Sequence, residues 1–288
     1  MSLLAGALVG GCSTEGAVAD DGPPAARASA GREGATAAVR GSADALVRAG
    51  SSRVRTTMET VSGGTRVAIR GTGVFDYGTG RGRLELVLPE PAEAGTDGGR
   101  PITEVFVPGA LYMKNRGAGV PADKWVRIDT GGLTDGNFVT GGATDPLSAA
   151  ELLRGAREVR LLGEERLDGV AVRHYRGTAD FAAAARAVPA ARAEAGAGRD
   201  AAVRASHARA ALTAAAKGFS GDGVTFDVYL DRAGRLRKAE EHFVFVNGTP
   251  GGSRVTSTTV LAGFGTPVHV TLPDPADLYA GEIESPGG

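Results

Sequence analysis

Cysteine is almost absent. Cys12 is the only one in 288 residues, which excludes an internal disulfide and any metal site built on several thiolates. Aromatic residues make up 5% of the chain, so a core drawn from its 42% hydrophobic residues has to be mostly aliphatic. Neither sign of charge is in excess: 32 Lys and Arg against 33 Asp and Glu leave a net charge of -1. No long-range field is there to attract nucleic acid or an anionic membrane. Catalytic signatures are missing too. The sequence has no HExxH, no GxSxG elbow, no Walker A loop and no dinucleotide fingerprint. None of His174, His207, His242 and His269 stands at metal-ligand spacing from another. Glu164-Glu165 and Glu240-Glu241 are adjacent pairs in strand-like sequence, where successive side chains point to opposite faces, so they make poor acid/base partners. These absences argue against an enzyme, a metal site, a cofactor or a nucleic-acid partner.

The chain opens MSLLAGALVGGC. Leu3 to Val9 is an apolar run far shorter than the ~20 residues that span a bilayer, but it has the length of a signal-peptide core. No basic residue precedes Arg27, so the usual basic leader is missing and the true start is expected upstream. Val9-Gly10-Gly11-Cys12 resembles the lipobox of bacterial lipoproteins, which makes Cys12 the expected acylation site. Residues 13–36 are small, polar and rich in Gly and Pro, and are expected to form a disordered tether. The abundance of Arg, Gly and Ala points to a GC-rich bacterial genome.

Folded sequence is expected from about Ala37 to residue 280, as one domain. Val39, Ala43, Leu46 and Val47 share a helical face that Gly50 closes. Alternating strands follow. Val54, Thr56 and Met58 share one face. Val67, Ile69 and Phe75 share another with Gly71 and Gly73, and two glycines there suggest curvature or a close approach. Leu84, Leu86 and Leu88 share a third face. Pro108-Gly109 and Asp168-Gly169 read as hairpin turns, and residues 131–143 as a Gly-rich loop. Asp145-Pro146 opens a short helix ending at Gly155. Residues 181–217 are Ala-rich helix with a thin apolar face, broken at Pro189 and expected to lie over the sheet. Ten to thirteen mostly consecutive strands with three helical interruptions make an α+β chain with an antiparallel meander.

The order of elements resembles actinobacterial lipoproteins of the LolA-like, LppX-LprG type. The segments that carry this are Glu165 to Arg176, the Leu230-Asp231-Arg232-Ala233-Gly234 turn and the strand entry Phe264-Gly265-Thr266-Pro267-Val268. The resemblance implies a strongly curved antiparallel sheet, a half-barrel, with helices over its concave side. It implies either a membrane-anchored carrier of a lipid or other apolar ligand, or a tethered envelope sensor that binds a membrane protein. In both cases the domain would sit at the extracytoplasmic face of the membrane. A cavity for acyl chains needs aliphatic walls, and the candidates are Val67, Ile69, Leu84, Leu86, Val105, Val228 and Val244. The same residues would serve equally to pack a core beneath the helices.

Overall fold

The computed structural model describes residues 24–88, 101–117, 119–189, 199–219, 221, 223–246 and 252–281. Cys12 and residues 13–23 of the expected tether lie outside them. Helix α1 runs Pro24–Arg40 and helix α2 Ser42–Ala49, with the break at Gly41. Val39, Ala43 and Leu46 are fully buried, as their spacing requires. Gly50 ends α2 with a positive φ of 80°. Helix α1 is exposed over residues 29–34 and buries Ala35.

Eleven strands form one antiparallel sheet. They are β1 (Ser51–Ser62), β2 (Thr65–Asp76), β3 (Arg81–Val87), β4 (Ile102–Val107), β5 (Ala110–Lys114), β6 (Trp125–Asp129), β7 (Ala156–Leu167), β8 (Val170–Ala179), β9 (Val224–Asp231), β10 (Leu236–Phe245) and β11 (Ser253–Ala262). Their spatial order is β6-β5-β4-β3-β2-β1-β11-β10-β9-β8-β7. Two consecutive meanders are thus joined by a single ladder between β1 and β11, from Arg53–Ala262 to Val61–Arg254. The sheet does not close on itself, so β6 and β7 are its edges. Helix α1 packs along β7, where Arg40 Nε donates to the Ala156 carbonyl at 2.9 Å. At the other edge the C-terminal segment reaches β6, and Tyr279 N donates to the Trp125 carbonyl at 2.8 Å.

Helices α3 (Pro146–Leu152), α4 (Phe181–Ala187) and α5 (Arg199–Gly218) lie with the segment 130–145 over one face of the sheet. Asp145 caps α3 by accepting from Leu147 N at 3.0 Å and Ser148 N at 2.9 Å. Arg154 ties this layer to α2 through Asp44, at 2.6 Å.

The sheet is strongly curved. Phe138 lies 6.1 Å from Phe243 of β10 between ring centres, and a Cβ on Gly141 would sit 3.1 Å from Leu111 of β5. Those strands are six places apart, ~29 Å in a flat sheet. One short segment touches both only because the sheet curls around it. Gly73 takes part in the curl: a Cβ there would lie 1.9 Å from the Arg83 carbonyl, so no other residue fits.

Candidate functional site

The inner, covered face of the sheet is the candidate site. The register decides which residues belong to it. Met58 pairs with Ile69, Gly73 with Leu84, Leu84 with Glu104, and Phe106 with Leu111. On the other meander, Met58 pairs with Ser257, Ser257 with Glu241, and Ala239 with Val228. These residues share one face.

Of the seven expected wall residues, five lie on it. Leu84, Leu86 and Val228 are fully buried and Ile69 is half-buried. Val67 is on the same face but 39% exposed, because it stands near the tip of the β1–β2 hairpin beyond the cover. Val105 and Val244 are corrections. Val105 pairs with Arg83, one residue out of phase with Leu84, and so points to the outer face. Glu104 takes the inner place beside Leu84. Val244 pairs with outward-facing Arg254 and is exposed, while Phe243 and Phe245 point inward.

The inner face is nearly filled. Phe138 from the covering segment, Phe181 from α4, Phe219 just after α5, and Phe243 and Phe245 from β10 form one aromatic cluster. Phe181 stacks on Phe219 at 5.0 Å, Phe138 meets Phe181 edge-on at 5.0 Å, and Phe219 lies 5.2 Å from Phe245. Five of the nine phenylalanines stand here. A gap of about 70 Å³ lies beneath α5 among Phe75, Phe106, Leu147, Asn137, Asp145 and His207. That is room for a few water molecules. Pockets for organic ligands run to roughly 300–1,000 Å³. A larger groove of about 870 Å³ lies open between α1 and β7, but Arg32, Glu33, Arg40, Glu158 and Arg160 line it.

Helix α5 is the lightly held part of the cover. Of the twenty residues of α5, Leu212, Ala215 and Gly218 are buried. The helix is fitted closely where glycine permits: a Cβ on Gly136 would lie 2.2 Å from the Ala211 carbonyl, and one on Gly109 2.4 Å from the His207 ring. Asp135 folds the covering segment into a compact turn, accepting from Asn137 N at 3.0 Å, Val139 N at 2.9 Å and Thr140 N at 2.7 Å.

Polar groups without protein partners collect beneath this cover. Both carboxyl oxygens of Glu104, Oε1 of Glu241, Oδ1 of Asn137 and the hydroxyls of Thr56 and Thr259 are buried and unpaired. Desolvation raises Glu104 well above the carboxylate range. Desolvation, with the nearby Asp145 charge, pushes Glu241 up to about 8. The sequence alone passes over Glu104 and shows Glu241 only as half of an adjacent pair. The available signal was parity: Ile102, Glu104 and Phe106 are two apart, which stands a carboxyl on an apolar face.

The outer face of β7 to β10 differs. His174 Nδ1 lies 2.7 Å from Glu165 Oε1 and its Nε2 lies 2.6 Å from Asp227 Oδ1. Its ring stacks on Tyr229 at 4.2 Å. Arg176 Nε donates to Asp227 Oδ1 at 3.0 Å. Desolvation raises Asp227, but the hydrogen bonds from Arg176 and His174 carry it below its ordinary value. Both ring nitrogens of His174 are taken by carboxylates, so neither activates a nucleophile. The group fastens three strands together.

The chain matches no protein-family model, and no curated protein matches it in sequence. Solved structures do align with it. The lipoprotein LppX of Mycobacterium tuberculosis is 13% identical over 83% of this chain and 99% of its own, at a TM-score of 0.41. LprF of Mycobacterium bovis is 14% identical, covering 84% and 97%, also at 0.41. The LolA superfamily protein NE2245 of Nitrosomonas europaea is 12% identical, covering 85% and 97%, at 0.32. At these identities and TM-scores the likeness says nothing about ligand or partner.

Proposed function

We propose that the chain is a membrane-anchored extracytoplasmic lipoprotein that binds or carries a lipid or other apolar ligand on the inner face of its curved sheet. One observation carries the reading: an aliphatic inner face, with Ile69, Leu84, Leu86 and Val228, is covered by a Gly-rich segment and by a helix with three buried residues in twenty. Helix α5, with so little buried apolar surface, is the part of the cover that opens at lowest cost. Ligand entry then exchanges one set of apolar contacts for another. The experiment is expression of residues 13–288 in bacteria, extraction with organic solvent and mass spectrometry of the extract. Co-purified lipid, or saturable uptake of an apolar fluorescent probe, is the expected result. Neither lipid nor uptake overturns the reading.

Anchoring rests on Cys12. Two or more acyl chains hold a protein firmly to a bilayer, at ~0.8 kcal/mol for each buried methylene. Radiolabelled palmitate should enter the wild-type chain and not Cys12→Ser. Equal labelling of both removes the anchor from the proposal.

A second reading, a tethered module that binds an envelope protein, draws on the nearly filled inner face and on Leu161 and Leu162. These two are 51% and 49% exposed on edge strand β7, where the register with β8 slips. Leu161→Ser with Leu162→Ser should abolish cross-linking to such a partner and leave lipid uptake unchanged.

A further inference from the structure

Glu104 is the most isolated ionisable group described here. It is fully buried, and neither carboxyl oxygen has a hydrogen-bond partner in the protein. Its neighbours on the inner face are Leu84 across β3, Met113 across β5, and Ile102 and Phe106 along its own strand. A carboxyl placed this way costs stability and repays none of it through contacts within the protein. What lies above it is not apolar filling. A Cβ on Gly141 would lie 3.3 Å from Glu104 Oε1 and 3.2 Å from the unpaired Oδ1 of Asn137. Phe106 and Asn137 also line the 70 Å³ gap beneath α5. The gap and the carboxyl thus share neighbours: Phe106, two places along β4 from Glu104, and Asn137, whose Oδ1 faces Gly141. Within the turn 136–142 Phe138 is locked in the aromatic cluster and Gly136 is fitted under α5, while Gly141 and Gly142 follow as the part that stands over the carboxyl.

We infer that Glu104 is the polar anchor of the ligand site, and that it takes a neutral, hydroxyl-bearing head of an otherwise apolar lipid that displaces residues 139–142. The inference rests on the carrier reading above and names the ligand class for that same site. The chemistry favours a neutral head. Burial favours the protonated form of the carboxyl, the form that both donates and accepts. A hydroxyl satisfies both roles without bringing a second charge into an aliphatic layer, whereas an ammonium would force ionisation and an anion would add an unpaired charge. Asn137 Oδ1 offers a second acceptor to the same head.

The test uses two probes with one acyl chain, 1-monoolein and methyl oleate, and measures binding to residues 13–288. Wild type should bind monoolein at least ten times more tightly. Glu104→Leu should bind both alike, and Glu104→Gln, which keeps a donor and an acceptor, should retain most of the preference. A wild-type measurement stands beside the variants: the infrared carbonyl band of protonated Glu104, assigned by its loss in Glu104→Gln, should shift with monoolein and stay still with methyl oleate. Equal binding of both probes by wild type, a preference that survives in Glu104→Leu, or an unmoved band overturns the role of Glu104 and leaves the carrier reading standing. Binding of neither probe overturns both.

Discussion

Glu240 and Glu241 are neighbours in β10 and occupy different worlds. Glu240 faces outward, 3.1 Å from Lys238 Nζ and 3.6 Å from His242 Nε2. Glu241 faces inward, 1% exposed, with Oε1 unpaired. The contrast extends across the sheet. Outside, Glu165, His174, Arg176 and Asp227 satisfy one another. Inside, Thr56, Glu104, Glu241 and Thr259 leave polar atoms unmet beneath a thin cover. A sheet spends its paired charges where water already supports them. The unpaired ones lie where only the cover, or something in its place, reaches them.

The contrast can be broken most severely at the cover. Phe138→Ala removes the ring that joins the segment to Phe181 and Phe243. It should cost about 3–5 kcal/mol and lower the melting temperature on the order of 10 °C in calorimetry. Next comes pH. Below about 4.5 Glu241 is protonated in the folded and unfolded chain alike. From there to about 8 only the unfolded chain ionises, so Glu241 lowers stability as pH rises through that window, and Glu104, raised by the same desolvation, adds to the loss in the same direction. Denaturant titrations at pH 5 and pH 8 should show the loss, and Glu241→Gln should reduce it and melt higher than wild type at pH 8. The outer face should respond less. His174→Ala leaves Glu165 and Asp227 without the ring between them, at about 1–2 kcal/mol given that Glu165 is half exposed. The wild-type advantage should shrink in 1 M NaCl, as a screened network requires. Smallest is Glu240→Gln, under about 1 kcal/mol in the same titration. Equal costs at Glu240 and Glu241 would erase the distinction between the faces.

Much of the architecture was legible because its signals are local. Asp145-Pro146 opens α3, Gly50 closes α2, and Asp168-Gly169 turns β7 into β8 with positive φ at both residues. Alternation identified Val54, Thr56 and Met58 as an inward set. Alternation failed where both faces are apolar. In Ile102–Val107, Val105 is buried as well as Ile102, Glu104 and Phe106, so its apolar side chain read as an inner wall although parity sets it opposite Glu104. In the run from Phe243 to Val246 every residue is apolar, and the larger rings took the inside. The covering segment read as one more Gly-rich loop. Its importance comes from Phe138, whose partners lie 43 or more residues away and leave no trace in local periodicity.

The lone ladder between β1 and β11 has a kinetic meaning. Each meander consists of strands that meet their chain neighbours, so each half-sheet can assemble from short-range contacts as it is synthesised. The halves cannot become one curved surface until Arg53 finds Ala262, after nearly the whole domain has been made. Closing so long a loop adds little to its final entropic cost but much to the search. Until that pairing forms, β1 presents an open edge to any neighbouring chain. The slow step of folding, and the interval of greatest aggregation risk, therefore belong to one pair of strands at the middle of the finished sheet.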